Sequence, residues 1–168
     1  HHADAEGNGT HMYNRDWDGK FHFPRVPSGL KTDDTDPHSL TRQVKKAAAF
    51  FGAALTGVTK LDRRWLYASS YFISSKGGCE QKNKIPESLK YVVVLGIEMD
   101  YDYILHSPAH PASMATGIGY SKMAFTAGLV AQFIRGLGFS AIPAGNDTGL
   151  SIPMAIDAGL GEIARNGL

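Results

Sequence analysis

Three stretches of the sequence carry side chains able to move a proton, bind an electron-rich group or ligate a metal. The first is Thr116-Gly-Ile-Gly-Tyr120-Ser-Lys122. Its glycines fit neither the G-x-G-x-x-G spacing nor the Walker pattern, so a phosphate cradle is not indicated. That leaves Tyr120. A phenol with an ordinary pKa of about 10 is a weak acid unless a cation or a hydrogen-bond donor stabilises its phenolate. The pattern alone favours the plainer reading, a large amphipathic packing residue at a glycine-assisted helix start. The second stretch is Pro143-Ala-Gly145-Asn146-Asp147-Thr148-Gly. It reads as a strand-to-helix loop, the place where open α/β sheets seat their ligands, although Asn and Asp also make ordinary turns. The third is His106 with His110, spaced like two metal ligands on one helical face. Pro108 and Pro111 break such a helix, which favours a solvated or capping role.

The chain that must position these groups has 168 residues, of which 43% are hydrophobic and 20% charged. That suffices for about one domain with a core. Seventeen basic against sixteen acidic residues leave a formal net charge of +1, so no basic field invites nucleic acid. The longest apolar runs, Tyr91 to Ile97 and Phe125 to Ile134, fall short of the roughly 20 residues that span a bilayer. Cys79 is the single cysteine; it can form no internal disulfide and cannot by itself hold zinc or an iron–sulfur cluster. The opening His1 to Thr10 is polar and non-periodic, without an initiator Met or signal features, and Asn166-Gly167 is a helix stop with no element after it. The expectation is a piece cut from the interior of a longer chain.

Residues 1–35 show no periodicity and read as an extended arm. Asp36-Pro37 supplies an N-cap and a first-turn proline, and Leu40, Val44, Ala47, Ala48 and Phe51 recur at helical spacing up to Gly52. Leu55 to Leu61 reads as a strand, Asp62 to Tyr67 as a polar and aromatic exit, and Tyr71 to Leu89 as a loop. Tyr91 to Met99 is a nearly continuous apolar run, which predicts a central strand covered on both faces. Met114 to Leu137 is apolar all round and predicts a buried helix. Phe139 to Pro143 reads as a short strand, and Ser151-Ile-Pro153 opens a last helix with Ser151 as its cap. The order helix, strand, strand, helix, strand, helix is an α/β pattern without repeats.

Several strings together resemble the corrinoid-dependent reductive dehalogenases. In the second half they are Tyr120-Ser-Lys-Met, Gln132-Phe-Ile-Arg-Gly-Leu-Gly, Ala141-Ile-Pro-Ala-Gly-Asn146, Ser151-Ile-Pro-Met-Ala and Ala158-Gly-Leu-Gly-Glu. In the first half they are Asp33-Asp-Thr-Asp-Pro37, Gly52 to Val58 and Asp62-Arg-Arg-Trp65-Leu-Tyr67. The resemblance runs from about Lys31 to Leu168. The epoxyqueuosine reductases of tRNA modification are similar mainly in the glycine-rich second half, and a truncated, non-catalytic corrinoid-binding module is a further alternative.

What the resemblance implies is a nitroreductase-like α/β scaffold, a mixed sheet with flanking helices, formed in part by residues 36–168. It would hold a cobalamin-type corrinoid beside two [4Fe-4S] clusters carried by a ferredoxin-like segment absent here. A small organohalide, such as a chlorinated ethene, would lose halide at the cobalt. Tyr120 matches the proton-donating tyrosine, Asn146 a polar residue of the same pocket and Thr116 another pocket position. Gly145, Asn146 and Ser151 match the cofactor-binding loop. No residue here matches a metal ligand: the C-x-x-C-x-x-C run and the basic residue that would stabilise the tyrosinate are missing, so this piece by itself is expected to be inactive. The resemblance also implies export and association with the outer face of the cytoplasmic membrane through an anchor protein, while the balanced charge leads to the expectation of no nucleic-acid partner. With one side of the pocket missing, exposed apolar surface and homodimerisation are expected.

Overall fold

A computed structural model describes residues 32–74, 77–83 and 85–165. The arm expected over residues 1–35 lies outside the described residues up to residue 31, and residues 32–35 have no regular structure. Two compact units are present. One combines the described part of His1–Thr56 with Leu95–Pro143, the other Gly57–Val94 with the described part of Ala144–Leu168.

In the first unit, helix α1 (Pro37–Phe50) starts as its sequence requires. Asp36 accepts hydrogen bonds from the His38 and Ser39 N–H groups at 3.2 and 2.9 Å, while Pro37 gives up no bond at the first turn. Asp34 in turn accepts from Ser39 and from the Asp36 N–H, which holds its carboxyl below the usual range. The helix ends in a Schellman motif: the Gly52 N–H bonds the Ala49 carbonyl and the Ala53 N–H the Ala48 carbonyl. Gly52 sits at φ 100, a left-handed conformation a side chain would strain.

The long helix α3 (His110–Gly136) follows a single-turn helix α2 (Tyr101–Ile104) and spans about 40 Å. It begins four residues before the expected Met114, because Pro111 lies in its first turn, where a missing N–H costs nothing. Pro111 therefore starts the helix rather than breaking it. Ala112, Ala115, Gly119 and Thr126 face the interior, and Met99 packs so closely that a Cβ on Gly119 would stand 3.0 Å from its Cγ. Thr126 is 2% exposed and donates its hydroxyl to the Phe51 carbonyl at 3.1 Å, tying α3 to the end of α1.

The expectation that α3 is buried on all sides is not met. Met114, Ile118 and Phe125 are 58, 53 and 56% exposed and project within about 40° of one another. Apolar residues all round a helix report what the helix can bury, and here the described residues cover one side of it. Nor is Phe139 to Pro143 a strand. The helix end claims its backbone instead: the Phe139 N–H closes a second Schellman motif on Ile134, and the buried Arg135 donates Nε–H to the Ala141 carbonyl at 3.0 Å. Burial pushes the Arg135 pKa down to about 10.

Strand β1 (Leu55–Lys60) pairs with β4 (Tyr91–Gly96). The flanking bonds, Ala54 N–H to Gly96 in the first unit and Leu61 N–H to Lys90 in the second, make the two strands antiparallel. The expected central strand is thus one member of a two-stranded sheet among the described residues, with Tyr91 66% exposed.

The expected loop over Tyr71 to Leu89 contains an antiparallel hairpin of β2 (Ser69–Ser74) and β3 (Gly77–Lys82), in the register Ser69 opposite Lys82 to Ser74 opposite Gly77. β3, Gly-Gly-Cys-Glu-Gln-Lys, has no apolar alternation to announce it. The described residues thus combine helices with two antiparallel strand pairs, an α/β composition rather than one mixed sheet. No helix among them is long and apolar enough to cross a membrane.

Thr126→Val keeps the shape but leaves the Phe51 carbonyl without its partner. It should lower unfolding stability by about 1–2 kcal/mol, while Thr126→Ser, which keeps the hydroxyl, should cost less. Urea unfolding followed by circular dichroism measures both.

Candidate functional site

The polar loop of the second unit is held by backbone pairing. Asp62 caps a 3-10 turn, Arg63–Trp65, by accepting from the Arg64 N–H at 2.9 Å. It also takes the Arg64 guanidinium at 2.6 Å, and these bonds hold its carboxyl below the usual range. The Arg63 guanidinium spans the carbonyls of Ile85 and Pro86. The chain leaving this turn then pairs with the far end of the polar loop: the Leu150 N–H bonds the Trp65 carbonyl at 2.8 Å, and the Tyr67 N–H bonds the Thr148 carbonyl at 3.1 Å. Leu66 and Gly149 lie directly opposite one another as an antiparallel bridge. A Cβ on Gly149 would stand 2.6 Å from the Trp65 carbonyl oxygen, so only glycine permits this approach.

Helix α4 (Ser151–Asp157) leaves the pinned segment directly and is stapled to it by the Trp65 indole N–H, which donates to the Asp157 carboxylate at 2.8 Å. The helix closes at Gly159, and its end packs on β1: a Cβ on Gly57 would stand 2.6 Å from that of Ala158. Ser151 is not the cap that the sequence suggested. Leu150 occupies that position without a side-chain bond, because pairing with Trp65 carries the extended backbone one residue further. The Ser151 hydroxyl is used differently, donating to Asn146 Oδ1 at 3.0 Å. Gly145 closes the turn by accepting from the Thr148 N–H, and Asn146 is exposed with its Nδ2–H donors unspent among the described residues.

In the first unit, Thr116 and Tyr120 lie one turn apart on α3, both half-buried. The Thr116 hydroxyl donates to the Ala112 carbonyl at 2.9 Å, so it offers a neighbour lone pairs and no proton. The opposite side of α3 borders a cavity of about 630 Å³, lined by Phe51, Met99, Tyr101, Lys122, Phe125 and others. Tyr120 is not among its walls; two residues from Lys122, it projects about 160° away around the helix. The structure therefore groups Thr116 with Tyr120, and Gly145 with Asn146 and Ser151, each pair or trio within its own unit. His106 lies outside α3 and His110 is its first residue, and no group of three metal-ligating side chains exists among the described residues. Sequence spacing gave no sign of the Trp65 and Gly149 pairing; the Asp62-Arg-Arg-Trp65 string was the available signal, and it carried no indication of what it would touch.

No protein-family model matches the chain. Curated proteins do. The tetrachloroethene reductive dehalogenase of Dehalobacter restrictus is 38% identical over 160 residues, covering 76% of this chain and 29% of that protein. The enzyme of the same name from Desulfitobacterium hafniense is 38% identical over 157 residues, with 74 and 28% covered. That from Sulfurospirillum multivorans is 34% identical over 168 residues, with 84 and 34% covered. The chain is a reductive dehalogenase homologue. It spans about three tenths of the length of the relatives it matches.

Reductive dehalogenases as a family imply a corrinoid and iron–sulfur clusters. A [4Fe-4S] cluster takes four cysteine thiolates, and this chain has one cysteine, so its residues do not fit that group. The rim of a corrinoid carries carboxamides, and the exposed Asn146, whose Nδ2–H donors no described residue takes, fits hydrogen bonding to such a rim.

Because the Ser151 hydroxyl bond is exposed and caps nothing, Ser151→Ala should change unfolding stability by no more than about 0.5 kcal/mol, against about 1 kcal/mol for loss of a true cap. Gly149→Ala, which drives a Cβ into the Trp65 carbonyl, should cost about 1–3 kcal/mol. Urea titrations of the two variants side by side test the assignment.

Proposed function

We propose that this chain is the corrinoid-facing part of a reductive dehalogenase that acts on small chlorinated hydrocarbons of the tetrachloroethene kind, built on a nitroreductase-like scaffold. The observation that carries the reading is the 34–38% identity to proteins named tetrachloroethene reductive dehalogenase over about three quarters or more of the chain. The overall change replaces a carbon–halogen bond by a carbon–hydrogen bond; it consumes two electrons and one proton and releases halide. A bound corrinoid supplies the electrons at cobalt. Clusters that would feed it are outside the capacity of these residues, so the proposal for this chain is confined to the proton and the halide.

Tyr120 supplies the proton. The Thr116 hydroxyl one turn away is committed to the Ala112 carbonyl, and the Tyr120 phenol stands where the resemblance in sequence puts the proton-donating tyrosine. Thr116 contributes its lone pairs and bulk to the wall beside it. Asn146 presents amide donors, the polarity that suits a halogen gaining negative charge, and Gly145 and Ser151 set its loop beside the corrinoid rim. The same reading brings export to the outer face of the cytoplasmic membrane, an anchor protein there and a homodimer; their support is the resemblance in sequence alone.

Reconstitution of the full-length protein with a corrinoid and iron–sulfur clusters, followed by chloride release from tetrachloroethene under reducing conditions, tests the reading. A loaded protein that releases no chloride from any chlorinated ethene overturns it. Tyr120→Phe should retain the corrinoid absorbance and lower turnover by about 10²- to 10⁴-fold. Asn146→Ala should cost about 1–3 kcal/mol in kcat/KM. Tyr91→Phe, at an exposed strand end, is the control and should be silent.

A further inference from the structure

We propose that the exposed apolar arc of α3 is the docking surface for residues 17–30 of this same chain. The arc consists of Met114, Ile118 and Phe125, each more than half exposed, with the small, exposed Ser121 among them. Steps of four, three and four residues keep all four side chains on one helix face over about 17 Å. The face lies away from Tyr120, so the proposal does not depend on the assignment of the proton donor. Large apolar groups in such a row call for a cover.

The path of the chain singles out the occupant. The Thr32 N–H donates to the Leu137 carbonyl at 3.2 Å, so the residues before 32 depart from the C-terminal end of α3. They carry three large aromatic side chains, Trp17, Phe21 and Phe23, to set against the three large residues of the arc. Fully extended, the chain from Thr32 reaches about 30 Å to Phe23 and about 50 Å to Trp17. Phe125 and Met114 stand about 18 and 35 Å back along the helix from Leu137. Both are within reach even when the passage round to the open face is added. Phe23 and Val26 each precede a proline, which biases this stretch to the extended backbone that such a reach requires. The size of the arc argues in the same direction. Three half-exposed side chains present an apolar patch on the order of 300 Å², against about 800 Å² per partner in a standard protein–protein interface. That is too little to hold a second copy, whereas a tethered segment acts at an effective concentration on the order of millimolar.

Two measurements on the full-length protein test this. With p-benzoylphenylalanine in place of Ile118, irradiation should join position 118 to residues 17–30 of the same polypeptide, as mapped by peptide mass spectrometry. A product of doubled mass means that a second copy covers the arc, and a crosslink to another segment names a different cover; either result overturns the proposal. Limited trypsin digestion supplies the second measurement, because Lys20 and Arg25 lie inside the segment and docking shields both from cleavage. Phe125→Ser and Trp17→Ser should each raise the cleavage rate after Lys20 and Arg25 by about 3- to 10-fold. Cleavage after the buried Arg135, which reports loss of the fold, should stay unchanged. If Phe125→Ser also speeds cleavage at Arg135, the decision passes to Trp17→Ser, which removes nothing from the helix. Unchanged cleavage after Lys20 and Arg25 in Trp17→Ser overturns the proposal.

Discussion

The approach of Gly149 to the Trp65 carbonyl is the constraint on which the second unit's polar loop depends. Two backbone bonds flank it, from Leu150 to Trp65 and from Tyr67 to Thr148, and they form only if the strands come within the distance at which a Cβ would collide at 2.6 Å. Once formed, they fix the direction in which α4 leaves, place Ser151 at its first residue and set the reach of the Ser151 hydroxyl back to Asn146. The Trp65 side chain then secures the far end of the same helix through Asp157. Arg64, 5.5 Å from the Trp65 ring centre and paired with Asp62, covers the indole from the solvent side and orders the turn from which Trp65 projects. The arrangement is local to these residues: a three-residue turn, a bridge and a seven-residue helix.

The start of α1 and the ends of α1, α3 and α4 were legible in the sequence because each is written in residues with one conformational use, whereas the start of α3 was expected four residues later, at Met114. Asp36-Pro37 starts α1, Pro111 starts α3, and Gly52, Gly138 and Gly159 end α1, α3 and α4 in left-handed conformations at φ 100, 92 and 72. Where the sequence was misread, a contact distant in the chain decided the outcome. Ser151 has the composition of a cap, but Leu150 is drawn into pairing with a residue 85 positions earlier and takes the capping geometry with it. Phe139 to Pro143 has the composition of a strand, but the end of α3 and the Arg135 side chain satisfy its backbone before a ladder can form. The β3 strand has neither alternation nor β-branched residues, and its pairing with β2 is the only sign of it.

Helix α3 separates two kinds of information that hydrophobicity merges. Its apolar residues encircle it, yet one arc, through Ala112, Ala115, Gly119 and Thr126, is packed, and the arc through Met114, Ile118 and Phe125 is open. The packed arc is made of small residues, which lets Met99 come against Gly119 and the end of α1 come within hydrogen-bond reach of Thr126. The open arc is made of large ones. Close helix contact favours small side chains and high shape complementarity, whereas large exposed apolar groups in a row are what a protein surface does not normally leave uncovered. Among the described residues, the open apolar arc of α3 therefore lies on the side away from Tyr120.

The candidate site was legible as residue types and not as assigned chemistry. Tyr120, Thr116, Asn146 and Ser151 were all identifiable from the strings in which they stand, but their hydrogen bonds decide what each can give. Thr116 loses its proton-donating capacity to the Ala112 carbonyl, a bond that any threonine one turn into a helix is able to make and that composition does not reveal. Asn146 shares an exposed hydrogen bond with the Ser151 hydroxyl. The first of these bonds leaves the Thr116 hydroxyl as an acceptor towards any further neighbour. Reductive dehalogenation makes two demands on a protein beyond its electrons, a proton delivered to carbon and stabilisation of a departing anion. In the function proposed above, we assign the first to the Tyr120 phenol and the second to the Asn146 amide. Local bonds of this kind are each worth little in stability, so single substitutions at Thr116 or Ser151 change the hydrogen-bonding groups without disturbing the fold that carries them.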